Sequence, residues 1–230
     1  MVAAEKNNIA ILLPARNEAG GIGRVIDEIN ALQLGDSAEI IVAENGSING
    51  TAAVAEAKGA SVIRCPAPGK GAAVRYALDE IAGRYGYIFM LDADYTYPAQ
   101  YILPMLLELL DGAEVVMGAR WKRQPGSMSA LHWLGNRAIS LEASILYGWV
   151  TDTLTGLWGF RADVIPALGL SSDGFTLEVD IYSGARLAGL KIREIPIEYR
   201  PRLGSPSKLK FRDAFLISSF LLKRRFQNGR

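Results

Sequence analysis

The sequence predicts an α/β protein built on a doubly wound, mostly parallel sheet. Three observations carry this. Short apolar runs alternate with stretches of helical apolar spacing through the first half. The runs are apolar on successive residues, as strands covered on both faces are, rather than alternating apolar and polar. Finally, 230 residues with a hydrophobic fraction of 50% are enough to bury such a sheet.

The strands read Ile9–Leu13, Glu39–Ala43, Ser61–Arg64, Tyr87–Leu91 and Glu114–Gly118. Between them, Ile22–Leu32, Thr51–Ala57, Ala72–Ile81 and Tyr101–Leu110 place apolar residues every three or four positions, the spacing of helices lying on a sheet. Beyond Gly118 the pattern weakens. Arg120 to Ala130 is basic with Gly and Pro, and reads as a loop over a site. A helix at Leu131–Gly148, a Gly-rich stretch at Thr153–Arg161, a helix through Glu178–Leu187, a strand from Lys191 to Pro196 continuing toward Tyr199, and a terminal helix at Phe211–Phe226 follow. With no repeat and no linker, the expectation is one domain over 1–230: a nucleotide-binding half to 118, an acceptor half over 119–210, and a basic amphipathic helix from 211.

Charge and rare residues narrow the chemistry. Lys+Arg 25 against Asp+Glu 24 gives a net charge of +1, which argues against a nucleic-acid binder. The average hides an asymmetry. Tyr199 to Arg230 holds nine bases and one acid, leaving 16 bases and 23 acids before it, so the tail is the expected meeting place for phosphate on a substrate or a membrane. One cysteine, Cys65, and one histidine, His132, exclude an internal disulfide and a Cys/His zinc site, so any metal must sit on carboxylates. A polar start and only a short apolar stretch after it predict no signal segment or membrane span, hence a cytoplasmic chain. The two Asn-Gly-Ser/Thr patterns at Asn45 and Asn49 are then turn chemistry rather than glycosylation sites.

In doubly wound sheets ligands bind beyond the carboxyl ends of the strands, so the loops there are the candidates. After the first strand comes Pro14-Ala15-Arg16-Asn17-Glu18, whose Asn17 and Glu18 suit a base or ribose, or an ordinary helix start. After the second comes Glu44-Asn45-Gly46-Ser47, where Glu44 can take a donor hydrogen bond or the segment can be a plain Asn-Gly turn. Gly69-Lys70-Gly71 opens a helix and can hold a phosphate through backbone N–H groups and the ammonium. It is no Walker loop, because Ala72 replaces the Ser/Thr and the upstream glycine is missing; Gly20-Gly21-Ile22-Gly23 fails the dinucleotide pattern at Ile26.

The sharpest feature is Asp92-Ala93-Asp94 at the end of an apolar strand. Two like charges delivered together to a buried strand end need a cation or strong donors. Mg²⁺ or Mn²⁺ suits such oxygen ligands and bridges to substrate phosphates; the plainer alternative is a polar strand end capping the next helix.

At this point the ordered set PARNE, ENGSINGT, GKGAA and DAD resembles family 2 glycosyltransferases of the GT-A fold. Asp152-Thr153-Leu154-Thr155-Gly156, Gly174-Phe175-Thr176-Leu177-Glu178, Glu194-Ile195-Pro196-Ile197 and Arg202 to Leu209 resemble their dolichol-phosphate mannosyltransferase branch, with its polyprenyl-phosphate relatives, over about residues 9–215. The resemblance implies a metal-dependent, inverting transfer of a sugar from a nucleoside diphosphate, of the GDP-mannose or UDP-glucose type, to a polyprenyl or dolichyl phosphate. It implies a donor pocket lined by Pro14, Arg16, Glu18 and Glu44, with Gly46, Lys70 and Ala93, and Mg²⁺ or Mn²⁺ on Asp92 and Asp94. Arg120, Arg202 and Lys208 would orient the acceptor phosphate. Glu44 and Asn45 stand where the family has two Asp residues, and Pro206 where it usually has an acid.

An ionised phosphate acceptor needs no general base, whereas a hydroxyl acceptor would, with Asp152 as the candidate and a helix N-cap as its alternative role. A nucleotidyltransferase should show a Gly-rich basic loop after the first strand, and a non-catalytic binding module would not need Asp92 and Asp94 together. The terminal helix, with Lys223, Arg224 and Arg225 after an apolar face, either docks on the sheet or lies on an anionic membrane.

Overall fold

The computed structural model describes residues 8–35, 38–204 and 211–227, with the side chains at 211 and 212 outside that set. Its strands are β1 (Ile9–Ala15), β2 (Ala38–Glu44), β3 (Ser61–Arg64), β4 (Tyr87–Met90), β5 (Val115–Arg123), β6 (Trp158–Arg161) and β7 (Ile192–Tyr199). The helices are α1 (Ala19–Ala31), α2 (Thr51–Ala57), α3 (Lys70–Glu80), α4 (Ile102–Leu110), α5 (Ala130–Tyr147), α6 (Leu177–Leu187) and α7 (Phe211–Gln227).

The seven strands form one sheet in the order β3-β2-β1-β4-β6-β5-β7, parallel except for β6, which runs against both neighbours. All seven residues of β1 are buried because the sheet is covered on both faces. Ala10 and Leu12 belong to one apolar layer with Met90, Trp158, Val74 and Tyr182, and Ile11 and Leu13 to the other with Ile22, Phe89, Tyr97 and Met105. Consecutive residues of a strand point to opposite faces, so a strand serving two layers must be apolar throughout.

Two segments differ from the sequence reading. The expected loop from Arg120 begins as strand: β5 continues to Arg123, paired with β7 across a register irregularity between Arg120 and Lys122. The parallel ladder of β7 supplies backbone partners that outweigh the weak strand preference of these basic residues. Within the Gly-rich stretch, Trp158–Arg161 is the reversed strand β6. Gly159 belongs there because a Cβ would lie 2.8 Å from the Phe89 ring, so its absence lets β6 sit flat between β4 and β5.

Of the two roles open to the terminal helix, the structure displays docking. Ile217 and Leu221 are buried, the Tyr147 hydroxyl donates to Leu221 O at 2.7 Å, and Ser218 bonds Glu142 on α5 at 2.8 Å. Arg224 is interior: it pairs with the fully buried Asp180 and donates to Leu168 O at 2.6 Å. No helix among the described residues is long and apolar enough to cross a membrane.

Candidate active site

The carboxyl ends of β1, β2, β4 and β5 and the amino end of β6 share one edge of the sheet, and their loops knit together there. Asn17, in the left-handed region at φ 57, donates its amide to Ser47 Oγ at 2.9 Å and accepts from the Ile48 amide at 2.9 Å. The Glu18 amide reaches Thr51 Oγ1, also at 2.9 Å. Glu44 accepts from the amides of Gly46 (3.1 Å) and Ser47. Burial alone would raise its pKa, but the hydrogen bonds from Ser47 and Gly46 hold it below the ordinary glutamate value. Glu44 and Gly46 therefore shape the loop, while Asn45 lines the cavity and bridges Ala67 O (2.7 Å) to the Gly69 amide (2.8 Å).

A cavity of about 270 Å³ opens at this edge. Pro14, Arg16, Glu18, Lys70, Asp92, Ala93, Asp94, Arg120 and Arg202 all border it, so nine of the expected site residues meet in one place. Lys70 Nζ lies 2.5 Å from Asp92 Oδ1 and 2.7 Å from Glu178 Oε1. Burial would depress the Lys70 pKa, but the two carboxylates outweigh it and hold the ammonium charged well above the ordinary lysine range. Arg202 pairs with Asp94 and lies 3.5 Å from Glu18. Asp94 also accepts from the amide (3.0 Å) and hydroxyl (2.6 Å) of Thr96, and its carbonyl accepts from the Leu203 amide at 3.0 Å, which closes the segment after β7 over the acidic strand end.

Close backbone approach explains three glycines. A Cβ on Gly69 or Gly71 would run into the carbonyls of Asp173 and Ser172, and one on Gly156 would strike the Asp92 carboxylate. The helix-opening loop is thereby pressed against the 171–174 turn, with the Ala72 amide bonded to Asp173 O at 3.1 Å.

Arg120 and Asp152 form a buried, two-point ion pair, Nε to Oδ2 at 2.6 Å and Nη2 to Oδ1 at 2.5 Å, and the Arg120 amide adds a third bond at 3.0 Å. Burial would raise the Asp152 pKa, but Arg120 overrides it and keeps the carboxyl below the ordinary aspartate value. The guanidinium lies 5.2 Å above the Tyr199 ring, which meets Tyr97 edge-on at 5.3 Å, and the Tyr97 hydroxyl accepts from the Gly156 amide at 2.6 Å. Asp152 is thus engaged as the partner of Arg120, and both its oxygens are occupied.

Beyond Arg120 a second cavity of about 420 Å³ is bordered by Arg123, Trp133, Arg137 and Ser140. Arg123 stacks over Trp133 at 5.0 Å, and Arg137 donates to Thr151 O at 3.3 Å. Three guanidinium groups facing one carboxylate make it a place for an anion.

Asp92 and Asp94 supply hard oxygen donors, and one or two carboxylates plus phosphate oxygens is the ordinary protein share of a Mg²⁺ shell. Among the described residues no group of three or more His, Cys, Asp or Glu side chains gathers to hold an ion alone. The donor set fits an ion held jointly with a phosphate ligand. Lys208 lies outside the described residues. Asn45, Glu178, Tyr97 and Arg137 were not among the expected site residues. Glu178 and Arg137 had a signal in retrospect, as charged residues beside motif or basic segments, but their partners lie 108 and 14 positions away in the chain.

The arrangement is a ligand-binding edge of an α/β sheet, and comparison with known proteins gives its class. Residues 10–169 match the family model Glycosyl transferase family 2, and the chain belongs to that family. It is 34% identical over 225 residues to glycosyltransferase AglJ of Haloferax volcanii, covering 96% of this chain and 73% of that one. It is 32% identical over 220 residues to the dolichyl-phosphate hexose transferase of the same organism, covering 94% and 93%. Among solved structures, glucosyl-3-phosphoglycerate synthase of Mycobacterium tuberculosis, crystallised with Mn²⁺, UDP and glucosyl-3-phosphoglycerate, superposes with a TM-score of 0.72 at 23% identity over 96% of this chain and 80% of that chain. The fold is GT-A, and the protein is a glycosyltransferase with polyprenyl-phosphate hexosyltransferases among its relatives.

Proposed function

We propose that the protein moves a hexose, with inversion, from a nucleoside diphosphate sugar of the GDP-mannose or UDP-glucose type to the phosphate of a polyprenol or dolichol. The observation that carries this reading is the pairing of two unlike cavities across Arg120: one with an acidic strand end and Lys70, the other walled by arginines. The relative named for dolichyl-phosphate hexose transfer supports the acceptor class, and the neighbour crystallised with Mn²⁺ and UDP supports the donor class.

In this reading Asp92 and Asp94 would hold Mg²⁺ or Mn²⁺, which when bound would supply positive charge to offset that of the leaving diphosphate. Lys70 meets the same diphosphate. Arg120, fixed by Asp152, and Arg137 orient the acceptor so that a phosphate oxygen attacks the anomeric carbon as the bond to the diphosphate oxygen breaks on the opposite face. Arg202 steers the anion and pins Asp94. The acceptor phosphate is already ionised near neutral pH, so no proton needs to be removed. The engagement of both Asp152 oxygens by Arg120 disfavours the hydroxyl-acceptor alternative with Asp152 as base.

A lipid acceptor implies contact with a membrane surface. Leu131, Leu134, Leu141 and Ile145 form an exposed stripe along α5, and Phe215, Leu222 and Phe226 another along the neighbouring α7, beside the exposed Lys223 and Arg225. Apolar stripes bordered by bases suit the interface of an anionic bilayer.

The test is transfer from GDP-mannose, UDP-glucose and UDP-N-acetylglucosamine to a short-chain polyprenyl phosphate, with the dephosphorylated alcohol as control and products read by mass spectrometry. A glycosyl phosphodiester is expected only with the phosphate. Equal transfer to the alcohol would overturn the acceptor assignment.

A further inference from the structure

The acidic strand end does not hold its charges alone. Lys70, at the start of α3, is shared between Asp92 and Glu178, the latter projecting from α6 on the opposite wall of the cavity. Arg202 is shared in the same way between Asp94 and Glu18. Each carboxylate expected to hold the divalent ion is thus bonded to a base that has a second acid within reach. A divalent ion arriving at Asp92 competes directly with the ammonium, because two cations at one carboxylate repel each other unless further anions join them. Glu178 lets Lys70 release Asp92 without being left buried and unpaired, which would be strongly unfavourable. A diphosphate beside the ion then offers Lys70 a replacement for the partner it gave up.

We propose that Lys70 is a resident counter-cation that competes with the divalent ion for Asp92 and, pivoting on Glu178, passes to the donor's diphosphate as the ion binds, so that ion and nucleoside diphosphate enter as a thermodynamically coupled pair. This rests on the donor reading above and goes further by giving Lys70 and Glu178 a role in the order of assembly. Glu178 is here a positioning residue acting through Lys70. By linkage, whatever factor the nucleotide adds to ion affinity, the ion must add to nucleotide affinity.

The experiment is Mn²⁺ binding to the full chain, read from the electron paramagnetic resonance signal of free Mn²⁺, without nucleotide and with saturating UDP or GDP. In the parent protein the nucleotide is expected to tighten Mn²⁺ by a factor in the range of about 5–150. Lys70→Gln keeps hydrogen-bond donors but removes the charge; it should tighten Mn²⁺ about tenfold without nucleotide and shrink the coupling by the same factor. Glu178→Gln leaves Lys70 with Asp92 alone. It should weaken nucleotide-free Mn²⁺ binding several-fold, and much less so when combined with Lys70→Gln. Unchanged or weaker Mn²⁺ binding by Lys70→Gln, or an equal effect of Glu178→Gln in both backgrounds, overturns the proposal while leaving the donor reading intact. If Lys70→Gln fails to fold, Lys70→Arg serves, since its retained charge should preserve weak nucleotide-free binding and a tenfold gain would overturn the idea. Absence of Mn²⁺ binding even with both nucleotides overturns the donor reading together with this one.

Discussion

The two cavities of the sheet edge, proposed above as the donor side and the acceptor side, are built by different means. On the donor side, the loops after β1 and β2 are tied by short hydrogen bonds between backbone and Asn17, Ser47, Thr51 and Asn45, and glycines bring main chain against main chain. On the acceptor side, long cationic and aromatic side chains do the work: Arg120 on Tyr199, Arg123 on Trp133, Arg137 on a carbonyl, with exposed Trp121 and Trp149 nearby. In the proposed function a nucleoside diphosphate is a compact ligand that a rigid loop frame suits, whereas a lipid phosphate presents one anionic point and a long apolar chain. Backbone geometry suits the first, and adaptable guanidinium groups beside apolar stripes suit the second.

The contrast can be broken in graded ways. Asp94→Asn removes a carboxylate from the donor side and should lower transfer by about 10³-fold or more, read in the product assay, while circular dichroism stays native. Next comes the joint between the sides. Asp152→Asn leaves Arg120 buried without its counter-charge and should cost about 3 kcal/mol of stability in urea unfolding at pH 7. The sign of the pH dependence follows from the depressed pKa. The Asp152 contribution is fully present above its ordinary value of 3.8 and is lost as pH falls through the lower folded value, so the stability gap between parent and variant should be constant near neutrality and close in acid. A constant gap down to the acid transition would refute this role.

On the acceptor side alone, Arg137→Ala should raise the KM for polyprenyl phosphate by about 10–100-fold with the donor KM unchanged, as expected for one lost bond to a charged group. A shift in both constants would mean the two sides are not separable at this residue. The smallest effect is expected at the surface. Replacing Lys223 and Arg225 by Ala should weaken flotation with anionic liposomes by about 1 kcal/mol per charge, with transfer to a water-soluble acceptor unaffected. Flotation that is equal for parent and variant removes these bases from any membrane contact.

The division between what the sequence revealed and what it concealed follows distance along the chain rather than this contrast. The strand-end loops were legible because each is local: a strand, a turn and a helix start lie within ten residues of each other, and Asp92, Asp94, Glu18 and Lys70 border one cavity. Glu44 was legible as a carboxylate at the strand end, but its acceptance from the Gly46 and Ser47 amides depends on a turn geometry that composition alone does not specify. What was not legible are the pairs distant in sequence, Lys70 with Glu178 and Asp94 with Arg202 at one cavity and Arg120 with Asp152 at the joint. Strand β6 was hidden because four residues containing a glycine carry little periodicity, and the extension of β5 was hidden because only the ladder with β7 makes basic residues extended. Arg224 counted toward a basic tail, yet the fold turns it inward to Asp180.

The reversed strand β6 has one more consequence. Because it runs against its neighbours, the segment Asp152–Leu157 that feeds it arrives at the same edge that the parallel strands leave, carrying Asp152 to one cavity and Leu154 to the other. Strand register has a period of two, so a one-residue slip of β6 would turn Trp158 and Phe160 out of their layer and displace the residues this segment brings to both cavities. Here one short segment borders both cavities, so under the proposed function a change in it would be felt by both substrates together.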